Sequence, residues 1–272
     1  MENADDTIYM YYDNPSAASA SDANATFVRV IENVRGSWSL DENAGTTAAD
    51  NSGYGNDGTI SGATWTAGKF GSAENFDGAG DNINVGNDNS LLVTPVSVEA
   101  WIKPATGGIP TGRRWTIASK FSTTANWGWL LDLADDAGVE GYRFWVRGTS
   151  AKWSTTISTA WTHIVGTYDG LNIRLYVDNV LRASATAGSP GNIADTGNVI
   201  IGSRNPVSGQ VQENFKGVID EVKIYKDNLT PEKISDLYNN YGYVTPNYPG
   251  KVLVREWVSP EPAASIGDEE TC

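Results

Sequence analysis

Between Trp38 and Tyr225 the chain passes through ten short segments whose apolar and polar residues alternate with a period of two, and this pattern limits the fold more than any other feature. "GSWSLDE", "VSVEAWIKP", "RWTIASKF", "GYRFWVRG", "LNIRLYVDN" and "GVIDEVKIYK" show it most plainly. Each such strand carries one apolar face, and burying so many faces without helical insertions calls for antiparallel sheets stacked on each other. Asp169-Gly170 marks a hairpin between "HIVGTY" and "LNIRLYV", and Asp178-Asn179 marks the next turn. The expected class is all-β, an antiparallel sandwich.

One short C-terminal helix is predicted. In "LTPEKISDLYNNYG" Thr230 can cap, Pro231 suits the first helical position, and Ile234, Leu237, Tyr238 and Tyr241 share a face before Gly242. Residues 1–35, with "TIYMYY" and "TFVRVIENV", read as the tail of an upstream surface module or as added strands. The sandwich is placed at 36–245, and 246–272 supply one more strand in "YPGKVLVREWV" followed by an acidic tail.

Lys and Arg number 19 against 33 Asp and Glu, a formal charge of −14. A surface so acidic repels phosphate backbones and anionic lipid, which argues against nucleic acid as a partner. No apolar run is long enough to span a bilayer and no secretory leader opens the chain, so membrane insertion is not expected, and the segment reads as cut from a longer secreted protein. The one cysteine, Cys272, is the last residue, which leaves no intrachain disulfide and no cysteine-based zinc site.

The stretch "WSLDENAGTTAADNSGYGNDGTISGATWTAGKFGSAENFDGAGDNINVG", then "SVEAWIKP", "WTHIVGTYDGLNIRLYVDN" and "GVIDEVKIYKDNLTPEKISDLYN", resembles the laminin-G-like, concanavalin A-like jelly-roll domains of bacterial and archaeal surface proteins. The resemblance implies a two-sheet jelly roll that often carries one calcium ion, binds carbohydrate or protein and has no chemistry of its own. It carries the metal role onto Asp50, Asn56 and Asp220, with Glu42 a lesser possibility.

The residues support that role independently. Calcium takes six to eight hard oxygen ligands, and "DNSGYGNDG" offers the Asp50 carboxylate, the Asn56 amide oxygen and carbonyls near Gly53 and Gly55. Asp220 is the expected distant ligand, because alternation places it with Val222 and Ile224 while Glu221, Lys223 and Tyr225 take the other side. First and last strands commonly neighbour each other in a jelly roll, which would bring "WSLDE" beside "GVIDEV". The alternative is that Asp50 and Asn51 form an Asx-turn and that Asp220 accepts backbone hydrogen bonds. A second acidic stretch, "DLADDAGVEG" from Asp132 to Gly141, reads as an ordinary exposed hairpin loop.

Aromatic and charged residues alternate together on three strands: Glu99, Trp101 and Lys103, then Arg143, Trp145 and Arg147, then Arg174, Tyr176 and Asp178. Flat rings beside forked donors suit sugars, so Trp101, Arg143, Trp145 and Tyr176 are the candidate ligand-binding residues of one shallow platform. Cross-strand aromatic pairs covered by Arg and Lys stems are the structural alternative. Trp127 and Trp129 share one side of "NWGWLL" and could extend a site or a hydrophobic seam.

Jelly-roll glucanases place their acids on one face of one strand in an alternating Glu-x-Asp-x-Glu ladder, and this chain has no such ladder. His163 is the sole histidine and reads as structural, without partners for a triad or a two-histidine metal site. The expectation is a non-catalytic, calcium-stabilised, extracellular or surface-displayed lectin-like domain for adhesion to a glycan or a cell-surface protein. A spacer or filament subunit, assembling through exchange of its terminal strands, is the alternative. A weaker third reading is an accessory domain of a glycoside hydrolase.

Overall fold

The structure is a computed structural model that describes residues 27–29, 31, 33–121, 128–193, 195–204, 213–239 and 252–254. "TIYMYY", Trp127, Tyr241 and the acidic tail lie outside the described residues. The strands begin with β1 (Phe27–Arg29), β2 (Val34–Trp38), β3 (Thr47–Ala48), β4 (Gly58–Ser61), β5 (Thr64–Ala67) and β6 (Ser72–Asp77). Next come β7 (Asn82–Gly86), β8 (Val96–Pro104), β9 (Arg114–Lys120), β10 (Trp129–Asp136), β11 (Val139–Val146) and β12 (Thr149–Ser154). The chain continues through β13 (Thr162–Tyr168), β14 (Asn172–Val177), β15 (Val180–Thr186), β16 (Val199–Ile201) and β17 (Lys216–Tyr225) to helix α1 (Pro231–Tyr238) and β18 (Val252–Val254).

Two large antiparallel sheets form the sandwich. The first, called the front sheet, runs β12-β11-β10-β9-β16-β7-β4-β3, and the back sheet runs β15-β14-β13-β8-β17-β6-β5 with β2 also on β17. One interior row of the front sheet passes through Ala151, Phe144, Leu131, Ala118, Ile201, Ile83 and Ile60 on seven consecutive strands. All seven belong to the single buried core between the sheets. Long-range strand order of this kind is what the period-two alternation requires.

β2 pairs with β17, Trp38 opposite Val222, so the early and late strands are neighbours as expected. "ENFDGAGDNINVG" divides into β6 and β7, which lie in different sheets. Outside the sandwich β1 and β18 pair in parallel, joining the two ends of the described chain. Asp178 and Asn179 both take positive φ, as a tight hairpin turn demands. Helix α1 is capped by Thr230, whose side chain accepts from the Lys233 N–H, with Pro231 in the first turn. Its Ile234 and Leu237 bury against Val165, Tyr176, Tyr225 and Ile31 on the outward face of the back sheet. Among the described residues no helix is long and apolar enough to cross a membrane.

Candidate functional site

The four residues expected to form one platform are divided between two sheets. Trp101 on β8 and Tyr176 on β14 belong to the back sheet, while Arg143 and Trp145 are neighbours on β11 of the front sheet. Helix α1 also covers the back face: Trp101 and Tyr176 retain 3% and 6% exposure, and Trp101 stacks on Tyr238 with ring centroids 5.8 Å apart. Beneath the helix the Glu99 carboxylate meets His163 Nε2 at 3.0 Å and accepts from the Tyr225 hydroxyl at 2.8 Å. Burial alone would raise Glu99, but the Lys223 charge and the His163 and Tyr225 contacts hold it below the usual range. His163 is therefore an interior structural group, and this face is closed.

The outward face of the front sheet keeps the other half of the platform. Lys152, Arg143, Asp132 and Thr116 form one row across β12, β11, β10 and β9. Arg143 donates from Nε to Asp132 Oδ1 at 2.9 Å and from Nη2 to Oδ2 at 2.5 Å, a bidentate fork with both side chains buried. Burial pushes the Asp132 carboxyl up, and the Arg143 charge pulls against it. Asp132 thus corrects the loop reading of "DLADDAGVEG": β10 continues to Asp136, and only the turn around Ala137 and Gly138 leaves the strand. Lys152 donates to Asp136 at 2.9 Å and to the Val139 carbonyl at 2.8 Å.

A second row beside it holds Ser150, Trp145, Leu130, Ser119 and Ile200. Trp145 is half-buried, with Phe121 edge-on at 5.5 Å, and Arg204 lies 4.1 Å over the Phe121 ring. Ser119 donates to the Ser203 carbonyl, so the 203–204 segment bounds the patch on one side. Trp145 stays partly accessible, opposite Ser150 and in the row next to Lys152 and the Arg143 fork. Lys152 and Asp132 were missed in the sequence reading. Lys152 alternates with the inward Ala151 and Trp153, a signal the sequence did contain.

The acidic corner is built differently from expectation. Asp50 accepts from the N–H groups of Ser37, Ser52 and Asn56 and from the Ser52 hydroxyl, so both of its oxygens organise the turn. Asn56 donates its amide to the Arg35 carbonyl and the Ser90 hydroxyl, and Gly53 takes φ 86°. Asp220 lies elsewhere in the network, its Oδ2 accepting from Lys69 and Phe70 N–H at 2.7 and 3.0 Å. It does not share the side of Val222 and Ile224. Ile219 and Val222, three residues apart, both enter the core, because the register slips after Asp220 and Glu221 takes φ 51°. Asp220 stands opposite Trp101, on the outward side of the back sheet.

Asp41 holds the other end of the same turn, accepting from Ser72 N–H at 2.9 Å. A side chain at Gly68 or Gly71 would collide with the carboxylates of Asp220 and Asp41 respectively, so glycine is what lets both acids reach the turn. Asp41 Oδ2 and Asp220 Oδ1 are buried without hydrogen-bond partners. Burial first, then the Glu221 charge and finally Asp41, push Asp220 up to about 8 against the pull of its two backbone bonds. Two hard oxygens in an electron-rich corner fit a calcium ion better than the saturated Asp50 does. Among the described residues no three His, Cys, Asp or Glu side chains are grouped as a metal site.

Two antiparallel sheets stacked on one core, with a short helix over the outward face of the back sheet, define a jelly-roll sandwich domain. The Laminin_G_3 family model, described as the concanavalin A-like lectin/glucanases superfamily, matches residues 77–235. That is more than half of the chain, and the chain belongs to this family. Comparison with curated proteins returned no match. Domain 4 of AbnA, a GH43 extracellular arabinanase from Geobacillus stearothermophilus, solved in complex with arabinotriose, aligns with TM-score 0.56 and 22% identity over 75% of this chain and 98% of that one. The binding domain of Paraclostridial Mosquitocidal Protein 1 aligns with TM-score 0.59 and 17% identity over 77% of this chain and 52% of its own. The receptor binding domain of botulinum neurotoxin C/D mosaic serotype aligns with TM-score 0.58 and 17% identity over 76% of this chain and 51% of its own. The chain thus spans about half the length of the two toxin domains, and the likeness to all three is one of fold.

Proposed function

We propose that this chain is a non-catalytic, extracellular binding module that takes a glycan, free or carried on a surface protein, against Trp145 on the outward face of the front sheet. The observation that carries the reading is the half-buried Trp145 ring standing beside the Arg143–Asp132 fork, Lys152 and Ser150, while the opposite outward face lies under α1. A sugar lays its C–H face on such a ring, and its hydroxyls find donors and acceptors in the adjoining row. The arabinotriose complex of the similar arabinanase domain supports a carbohydrate, and the toxin domains support receptor binding. Calcium belongs to the same proposal as a structural ion. Asp41 and Asp220 would hold it, and the ion would neutralise their charge and fix the turn from Gly68 to Ser72 against β17.

Glycan-array binding of the whole chain, with and without EDTA, tests the reading. Binding that disappears in Trp145→Ala and persists in Trp101→Phe supports it. A broad array with no hit, or hits that Trp145→Ala leaves unchanged, overturns it.

A further inference from the structure

Glu74 on β6 is fully enclosed, and neither oxygen of its carboxyl has a hydrogen-bond partner. Its cross-strand neighbours are Trp65 on β5 and Ile219 on β17, and its face of β6 continues into the core at Phe76. The charged groups acting on it are Glu42 from the loop after β2 and Asp81 from the turn after β6, both acids, while β5 and β17 bring only apolar side chains opposite it. Glu42 and Asp81 are themselves anchored, by Ala49 N–H at 3.0 Å and Asp77 N–H at 2.8 Å. The Trp65 indole donates to the Gly45 carbonyl at 3.1 Å, which clasps the Glu42 loop to the same edge. β5 is the terminal strand of the back sheet and pairs with β6 alone.

We propose that Glu74 is a proton latch: its neutral carboxyl lets β5 and β6 close on the core, and its ionisation loosens that edge. A carboxylate buried without a partner is among the least tolerable groups in an apolar interior, whereas a neutral carboxyl is tolerated at much lower cost. Burial, then Glu42, then Asp81 raise Glu74 from 4.5 to about 7, which places the change within reach of ordinary environments. The sign follows from linkage. Stability contributed by the protonated form is complete below the unfolded value of 4.5 and is lost as pH rises through about 7. The domain is thereby set to be firm in mildly acidic surroundings and to open one edge in neutral to alkaline ones.

Hydrogen–deuterium exchange of the whole chain at about pH 5.5 and about pH 8.5, corrected for intrinsic rates, tests this. Protection over residues 64–77 is expected to fall by about tenfold or more at the higher pH while the front sheet is unchanged. Glu74→Gln and Glu74→Leu should abolish the difference and raise the alkaline melting temperature. Equal protection of the wild type at both pH values overturns the proposal, as does a fall that persists in Glu74→Gln. Both pH arms are run in EDTA, so that an ion at Asp41 and Asp220 does not itself hold the turn from Gly68 to Ser72.

Discussion

Asp132 on β10 and Arg143 on β11 stand directly opposite each other and meet through two hydrogen bonds, with the Asp132 side chain fully enclosed and Arg143 nearly so. A fork of this kind is costly to break from one side, since the surviving charge is left desolvated. Arg143→Ala is expected to cost about 3–5 kcal/mol in urea unfolding. Replacing both partners, Asp132→Leu with Arg143→Met, should recover most of that loss. If the single and the double variant lose the same stability, packing rather than charge is what the pair contributes.

β13 of the back sheet and β11 of the front sheet meet across the core at Gly166 and Phe144. Gly166 lies opposite Val98, and a Cβ there would collide with the Phe144 ring, itself fully buried. Gly166→Ala therefore forces either the ring out of its rotamer or the sheets apart. The expected loss is about 1–3 kcal/mol, seen as a lower urea midpoint with an unchanged slope. A second change, Phe144→Leu, makes room and should restore part of it. No recovery in the pair would place the strain somewhere other than the Gly166–Phe144 contact.

Much of this fold is legible in local sequence because the relevant forces are local. Alternation marks β8, β11, β14 and β17, the Asp169-Gly170 and Asp178-Asn179 turns mark the hairpins, and Thr230 with Pro231 marks the start of α1. What alternation cannot supply is which sheet a strand joins. Trp101 and Trp145 sit in similar patterns, yet β8 lies under α1 in one sheet and β11 lies open in the other. The slip at Asp220-Glu221 is equally hidden, since a glutamate at positive φ carries no compositional sign. Asp41 could have been suspected from Gly68 and Gly71, because two glycines around a short turn permit close approach by another group.

That corner yields a prediction in which calcium and pH act in opposite directions. In EDTA the raised Asp220 is neutral over most of the accessible range, and the stability of its protonated form is present below 3.8 and lost as pH rises through about 8. Asp220→Asn keeps an acceptor for the Lys69 and Phe70 N–H groups and carries no charge. Calcium-free Asp220→Asn should therefore be more stable than the wild type at about pH 9, by at least about 1 kcal/mol, and nearly equal to it at about pH 4. Adding calcium should reverse the order, because an ion bound only to the native state stabilises it by about 2.7 kcal/mol at a hundred times its dissociation constant. Melting curves of both proteins, with calcium and with EDTA, read all four states. If calcium raises the melting temperature of Asp220→Asn as much as that of the wild type, the ion sits elsewhere, and Asp50→Asn becomes the discriminating variant. If it raises neither, calcium does not bind this corner, and the raised Asp220 carboxyl is held there by its proton alone.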